Sequence, residues 1–330
     1  MKLLIIGAGY VGEALLVRLQ KSPYEVIVTT KKKERIKTLQ KYGQVFFLDP
    51  NIDEGFNLET AVSRFNELID ACDGAIVLVA PGESQSYEDV YLGTAEKISC
   101  ALKNRKKPFY LLYTSSTSVY EGINSELGTE SLFSNSSGLW IASKPRGWLN
   151  RSQVNIKNMD LAAIFHPREL SRDSRDRFNL KTVSEEIILN PVSVKSKVLL
   201  KTECCYLNSN AATCILRLGG IYGPDRELID RAKRFSGKEM PGTGYESTNH
   251  IHLDDIVAAL LFCLEHSITG VYNLVNDDHP TRKELYTNLC RTQNIPSPIW
   301  KSEKSLGISS GYLVSNQKIK DVGFTFKHSL

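Results

Sequence analysis

The segment KLLIIGAGYVG, at the start of the chain, passes from a short apolar run straight into glycines at 7, 9 and 12. An amphipathic stretch follows, with Val11, Ala14, Leu15 and Leu19 on one face and Pro23 closing it. Each glycine answers a physical demand. Gly7 permits a tight turn, Gly9 keeps the backbone bare so that a pyrophosphate can approach, and Gly12 lets helix and strand pack closely. The helix N-terminus adds free N–H groups and the positive end of its dipole. A strand–GxGxxG–helix unit so placed points to a dinucleotide ligand, with Gly7, Gly9, Tyr10, Val11 and Gly12 around its phosphates.

Further apolar runs at Leu3 to Ile6, Glu25 to Thr29, Val45 to Leu48, Ala75 to Ala80 and Phe109 to Thr114 alternate with helix-period segments. This alternation predicts a Rossmann-type, doubly wound parallel α/β sheet covered on both faces. Later helices are expected over Asp255 to His266 and over Arg282 to Arg291, the second opened by a capping box of Thr281 and Glu284. The pattern fails between Tyr120 and Val183, too long a gap for an ordinary loop. That gap reads as an insertion at about 121–181, holding Trp140 and Trp148, and as a surface excursion rather than core. The expected organisation is a dinucleotide-binding domain over 1–218, interrupted by the insertion, and a smaller C-terminal substrate lobe over 219–330.

With 24% charged residues and a net charge of +4, nothing in the composition calls for nucleic acid or a membrane surface as partner; a small-molecule substrate is expected. The first apolar run is far too short to span a bilayer and is followed by glycine rather than a cleavage site. The 7 cysteines include no CxxC pair and no zinc-ligand spacing, so no metal is expected. They read as buried thiols in a reducing cytoplasm, the vicinal pair Cys204 and Cys205 included. A homodimer is left open.

The second strand, EVIVTTKKKER, bears on which dinucleotide is bound. A site that prefers NAD usually ends this strand in a carboxylate for the ribose hydroxyls, and none stands at Thr29, Thr30 or Lys31. Thr30, Lys31, Lys32 and Arg35 suit a 2'-phosphate better, which favours NADP over NAD. Asp49 and Ala80, at the ends of the third and fourth apolar runs, complete the expected cofactor set.

Three further motifs stand in order along the rest of the chain: YTSSTSVYEG at 113–122, ILRLGGIYGPDR at 215–226 and NHIHLDDIVAAL at 249–260. With the glycine turn, they resemble the extended short-chain dehydrogenase/reductases, the NAD-dependent epimerase/dehydratase family. The resemblance covers residues 1 to 120 and about 183 to 330. It implies a catalytic serine at Ser116, whose hydroxyl would bind the reacting oxygen. It also implies a substrate-side segment of Tyr222, Gly223, Pro224 and Arg226, the Arg suited to a phosphate or carboxylate. His252, Asp254 and Asp255 match the segment where the second lobe rejoins the first, with Asp254 or Asp255 as helix cap.

The family typically shows Pro-x-Ser-x-Tyr-x-x-x-Lys, then Glu four residues on. Here Pro191, Ser193 and Glu203 stand in place, but Lys195 falls at the Tyr position and Leu199 at the Lys position. A tyrosine of ordinary pKa near 10 needs a cation beside it to shuttle protons at neutral pH, and here both members are gone. No tyrosine in the chain has a lysine four residues later. The sequence thus resembles the family's atypical branch, with dinucleotide binding kept and the dyad lost. Two readings follow. One is an oxidoreductase or epimerase in which Lys195 or Tyr120 substitutes as acid/base on a small substrate such as a sugar or nucleotide sugar. The other is a non-catalytic NADP(H) sensor that contacts a protein partner.

Overall fold

Residues 1–47, 58–82, 85–103, 105–121, 182–187, 189, 191, 193–301 and 312–330 are described by a computed structural model. Most of the expected insertion, with Trp140, Trp148 and also Asp49, lies outside them.

The first half alternates as the sequence predicts: β1 (Lys2–Ile6), α1 (Tyr10–Leu19), β2 (Glu25–Thr30), the short α2 (Ile36–Leu39), β3 (Gln44–Phe47), α3 (Leu58–Ala71) and β4 (Gly74–Val77). A π-helical turn, Glu88–Leu92, leads into α4 (Gly93–Lys103), and β5 (Tyr110–Ser116) follows. Beyond the undescribed stretch come β6 (Thr182–Val183), α5 (Val194–Leu207), β7 (Ala212–Leu218), β8 (Gly220–Tyr222), α6 (Leu228–Phe235) and β9 (Glu239–Pro241). The chain then runs through β10 (His250–His252), α7 (Leu253–Glu265), β11 (Gly270–Leu274), α8 (Arg282–Thr292), β12 (Ile299–Lys301), β13 (Leu313–Val314) and α9 (Gln317–Asp321).

Seven strands form one sheet in the order β3-β2-β1-β4-β5-β7-β11, every pair parallel. The order reverses at β1, where successive strands run outward to β3 and then resume on the other side at β4. Such a reversal opens a crevice at the carboxyl ends of the strands. Strand alternation sorts the core into two layers. Leu3 and Ile5 pack with Leu15, Leu19, Ile256 and Leu260 of α1 and α7. Leu4 and Ile6 point to the other face, against Leu68 and Ile69 of α3, Ile98 and Leu102 of α4 and Tyr206 of α5.

Beyond the expected boundary at 218/219, β11 and α7 complete the sheet and its helical cover. Outside the main sheet stand the pairs β8·β10 and β9·β12 and the packing of α6 on α8, where Phe235 meets Tyr286 edge-on at 6.0 Å. The cysteines are not uniformly core. Cys72, Cys214, Cys263 and Cys290 are buried, but Cys100 and Cys204 are exposed and Cys205 is half-buried. On α5 the inward positions are taken by Thr202, Glu203 and Tyr206, which turns Cys204 to the outside.

Candidate functional site

A cavity of about 430 Å³ opens over the carboxyl ends of β1, β2, β4, β5 and β7, at the reversal of strand order. Its floor is the glycine turn. Gly7 has φ +99°, and a Cβ there would lie 2.8 Å from the backbone carbonyl of Leu78 at the end of β4. At Gly12 a Cβ would lie 2.3 Å from the Gly7 oxygen, so only glycine lets α1 sit this close to β1. Gly9 differs from both. A Cβ on it would meet nothing within 4 Å: the space beside it is open, at the N-cap of α1 and facing the cavity. An open space at a helix N-terminus, bordered by bare backbone, fits a pyrophosphate.

The electrostatics agree with an anionic ligand. Among the described residues lining the cavity, Lys31, Lys32, Arg35, Lys97 and Arg226 are basic and none is a carboxylate. Thr30 ends β2, and its hydroxyl accepts the Lys32 N–H at 3.2 Å, closing a turn that presents the lysines at the strand end. The Arg35 guanidinium reaches back over the glycine turn, donating to the Ala8 carbonyl and pairing with Glu13 at 2.6 Å. Lys31 donates to the Gln85 side chain. Gly7, Gly9, Tyr10, Val11, Thr30, Lys31, Arg35 and Ala80 of the expected cofactor set all line the cavity; Gly12 supports it from behind.

The three acid/base candidates part company. Ser116 lines the cavity at the end of β5, its oxygen accepting the Ser118 N–H at 3.1 Å while its own hydrogen remains available to donate. Tyr120 faces away: it is 0% exposed, donates to Asn273 Oδ1 at 2.8 Å and accepts from Arg217 at 2.8 Å. Burial raises its pKa above the ordinary tyrosine value although Arg217 opposes the shift. Lys195 is not among the cavity's lining residues; its Nζ lies 5.3 Å from the ring centre of Tyr87. Leu199 is sealed in an apolar cluster with Val119, Tyr120, Val183, Val275 and Val314. Glu203, four residues on, is 1% exposed and meets the Arg217 guanidinium through both oxygens, with Ser115 donating at 2.6 Å. The segment that would carry a dyad is therefore a structural brace between α5, β5 and β7.

Of the residues expected to face a substrate, Arg226 lines the cavity and lies 4.4 Å over the Tyr10 ring, whose hydroxyl donates to the Pro224 carbonyl at 2.6 Å. Tyr222 and His252 do not line it. Tyr222 accepts from Asn276 at 2.8 Å and donates to the Ser329 carbonyl at 3.1 Å, and His252 packs edge-on to it at 5.0 Å. The cap of α7 is His252, whose Nδ1 accepts the Asp254 N–H, and not Asp254 or Asp255 as expected. Asp255 is withdrawn from capping because its buried carboxylate accepts the N–H groups of Lys327 and His328 at 3.0 and 3.1 Å. Burial and the neighbouring His328 hold the His252 pKa below its ordinary value.

One edge of the cavity escaped sequence reading. Tyr91, Thr94 and Lys97, three residues apart on the π turn and α4, all face it. Their spacing is the only signal they carry, and it equally describes a helix face on the core. Burial, with Tyr87 beside it, pushes the Tyr91 phenol well above its ordinary pKa.

Comparison with known proteins agrees with this architecture. A model of the NADP oxidoreductase, coenzyme F420-dependent family matches residues 2–88, the portion that builds the glycine turn and the second strand. A 3-diazoavenalumate denitrifying reductase from a Streptomyces species is 26% identical over 107 residues, 31% of this chain and 35% of that protein. The match thus spans about a third of that curated relative. Among solved structures, MoeE5 in complex with UDP-glucose and NAD superposes with a TM-score of 0.66 at 17% identity, covering 100% of this chain and 95% of that one. The UDP-glucuronic acid 4-epimerase from Bacillus cereus in complex with NAD gives 0.60 at 18% identity, with 96% and 90% covered. The UDP-glucose 4-epimerase of Thermotoga maritima with UDP-glucose gives 0.62 at 14%, with 97% and 92% covered. These likenesses establish the α/β, Rossmann-like fold. Among the described residues no helix is long and apolar enough to cross a membrane.

Proposed function

We propose that this chain is an NAD(P)-binding oxidoreductase or epimerase of the atypical extended short-chain dehydrogenase/reductase kind, acting on a small substrate such as a sugar or nucleotide sugar and preferring NADP(H). The observation that carries the reading is the open space beside Gly9, at the reversal of strand order and the N-terminus of α1, in a cavity lined by basic groups without a described carboxylate. The glycine turn would hold the pyrophosphate; Lys31, Lys32 and Arg35 would hold a 2'-phosphate. When bound, the nicotinamide gives or takes a hydride. Ser116 donates its hydroxyl hydrogen to the reacting oxygen, and Arg226, exposed to the cavity next to Tyr10, pairs with an anionic substrate group. The substrate lobe comprises the segments after 218 that do not join the main sheet, and the cytoplasm is the compartment that suits free exposed thiols.

The second reading, a non-catalytic NADP(H) sensor, draws its support from α5. Leu199 belongs to the core and Lys195 rests by Tyr87, so neither dyad position presents a proton carrier to the cavity. A hydride-transfer screen over sugars, nucleotide sugars, aldehydes and ketones, run on the wild type and on Ser116→Ala, separates the two. Turnover that falls by about 10² to 10⁴ in Ser116→Ala supports the enzyme. NADPH binding with no turnover on any substrate supports the sensor, and failure to bind either dinucleotide refutes both.

A further inference from the structure

We infer that His252, Asp254 and His328 form a site for a late first-row divalent cation of the Zn²⁺ type, which staples the C-terminal residues to the start of α7. One donor atom from each lies within 4.8 Å of the others. Asp254 Oδ2 is 3.8 Å from His252 Nδ1 and 3.7 Å from His328 Nε2. Around an ion bound at about 2.0 to 2.2 Å in tetrahedral geometry, donors stand about 3.4 Å apart, so the two distances to Asp254 need to close by a few tenths of an ångström, and the two histidine donors, within 4.8 Å of each other, by more.

Two features set this group apart from a chance surface cluster. The other nitrogen of His328, Nδ1, faces the fully buried carboxylate of Asp255 at 3.3 Å, and that carboxylate is itself fixed by the Lys327 and His328 N–H groups. Nδ1 is buried and makes no hydrogen bond among the described residues, so a turn of the ring that lets it donate to Asp255 would leave Nε2 for an ion, the arrangement seen behind histidine ligands of metals. The rest of the tail is also moored here, by Tyr222 on the Ser329 carbonyl at 3.1 Å and by the Leu330 N–H on Asp278 at 2.9 Å. The ligands come from a helix start and a segment some 70 residues away in sequence, so an ion here would cross-link two parts of the fold beside Tyr222.

Binding has identifiable requirements. The two imidazoles are stacked, with centroids 3.7 Å apart and planes 19° from parallel, so one must turn for both lone pairs to converge. The His328 side chain is 34% exposed and can do so. His252 Nδ1 must release the Asp254 N–H, a long bond of 3.2 Å. Two imidazoles and one carboxylate favour zinc-like ions over Mg²⁺ or Ca²⁺, which prefer oxygen donors. Solvent completes the coordination.

The test is calorimetric titration of the untagged 330-residue chain with Zn²⁺, in a background carrying Cys100→Ser, Cys204→Ser and Cys205→Ser so that accessible thiols do not compete. One equivalent should bind, Mg²⁺ should not compete, and Co²⁺ should give the intensified visible absorption of a site of fewer than six ligands. His328→Gln and Asp254→Asn should each weaken binding at least tenfold, and Asp255→Asn by roughly 10- to 100-fold through the orientation of His328. Asp254 is 61% exposed, so its variant reads binding even if the His328 variant is unstable. No binding in the parent, or binding unchanged in Asp254→Asn and His328→Gln, overturns the site.

Discussion

Arg217 and Glu203 are the most consequential buried charges around the site, at 5% and 1% side-chain exposure. Their bidentate contact, with Ser115 and Tyr120 completing the network, compensates the loss of water around both ions. Glu203→Gln leaves the guanidinium uncompensated in the core, and the expected loss is about 3 to 5 kcal/mol, read by urea denaturation. A loss under about 1 kcal/mol would mean that the pair is not holding α5 to β7. His250 makes a different statement. Burial first, then Arg231 and His279, lower its pKa from 6.5 to about 4, and its Nδ1 has no partner among the described residues. Above pH 6.5 the ring is neutral in folded and unfolded chains alike. As pH falls from 6.5 towards 4 the unfolded chain takes up a proton that the folded one refuses, so stability drops by roughly 3 kcal/mol and then levels for this group. Denaturation at pH 7 and pH 5 should show about 2 kcal/mol of this drop in the wild type and a much smaller change in His250→Gln; equal drops would assign it elsewhere.

The elements explain how far the sequence could be read. Strands β1 to β5 were legible because each is a short β-branched or aromatic run bounded by turn residues, and the capping box of Thr281 and Glu284 forms as expected. The glycine turn was legible because two of its glycines answer to steric demands that no other residue meets, at Gly7 and Gly12. What escaped depends on contacts between segments distant in sequence. Tyr91, Thr94 and Lys97 reach the cavity only because α4 packs beside β5, and Asp255 lost its capping role to a tail 72 residues further on. Helix α5 is the instructive case: it and the residues that lead into it carry the Pro191, Ser193 and Glu203 on which the resemblance was read, while its inner face serves as core. Leu199→Lys, half of a rebuilt dyad, therefore puts an ammonium into the cluster of Val119, Val183, Val275 and Val314. The expected outcome is several kcal/mol of destabilisation, or a lysine titrating well below its ordinary pKa. An unchanged melting temperature would show instead that α5 can offer position 199 to the cavity. The same cluster joins Val119 and Tyr120 to Val183, the two flanks of the long insertion. A short Gly/Ser bridge replacing residues 124–180 should leave a folded, dinucleotide-binding protein, since each doubling of a flexible loop costs only about 0.6 kcal/mol. Aggregation of that variant would place the insertion in the core.

At the scale of the whole molecule, sheet order, glycine turn and charge converge on one place. The reversal between β1 and β4 opens the crevice, α1 points its N-terminus into it, and Lys31, Lys32 and Arg35 stand at the end of the neighbouring strand. A neutral sheet edge would hold any flat ligand, whereas basic groups line this one, which supports the proposed phosphate-bearing ligand. The most direct measurement is titration of the wild type and of Gly9→Val with NADPH and NADH by calorimetry, with circular dichroism to confirm that the variant keeps its fold. Because a Cβ at position 9 meets no protein atom within 4 Å, its side chain would enter the open space proposed for the ligand. The account predicts NADPH binding tighter than NADH in the wild type, and loss of both in a folded Gly9→Val. Undiminished binding in folded Gly9→Val would contradict it.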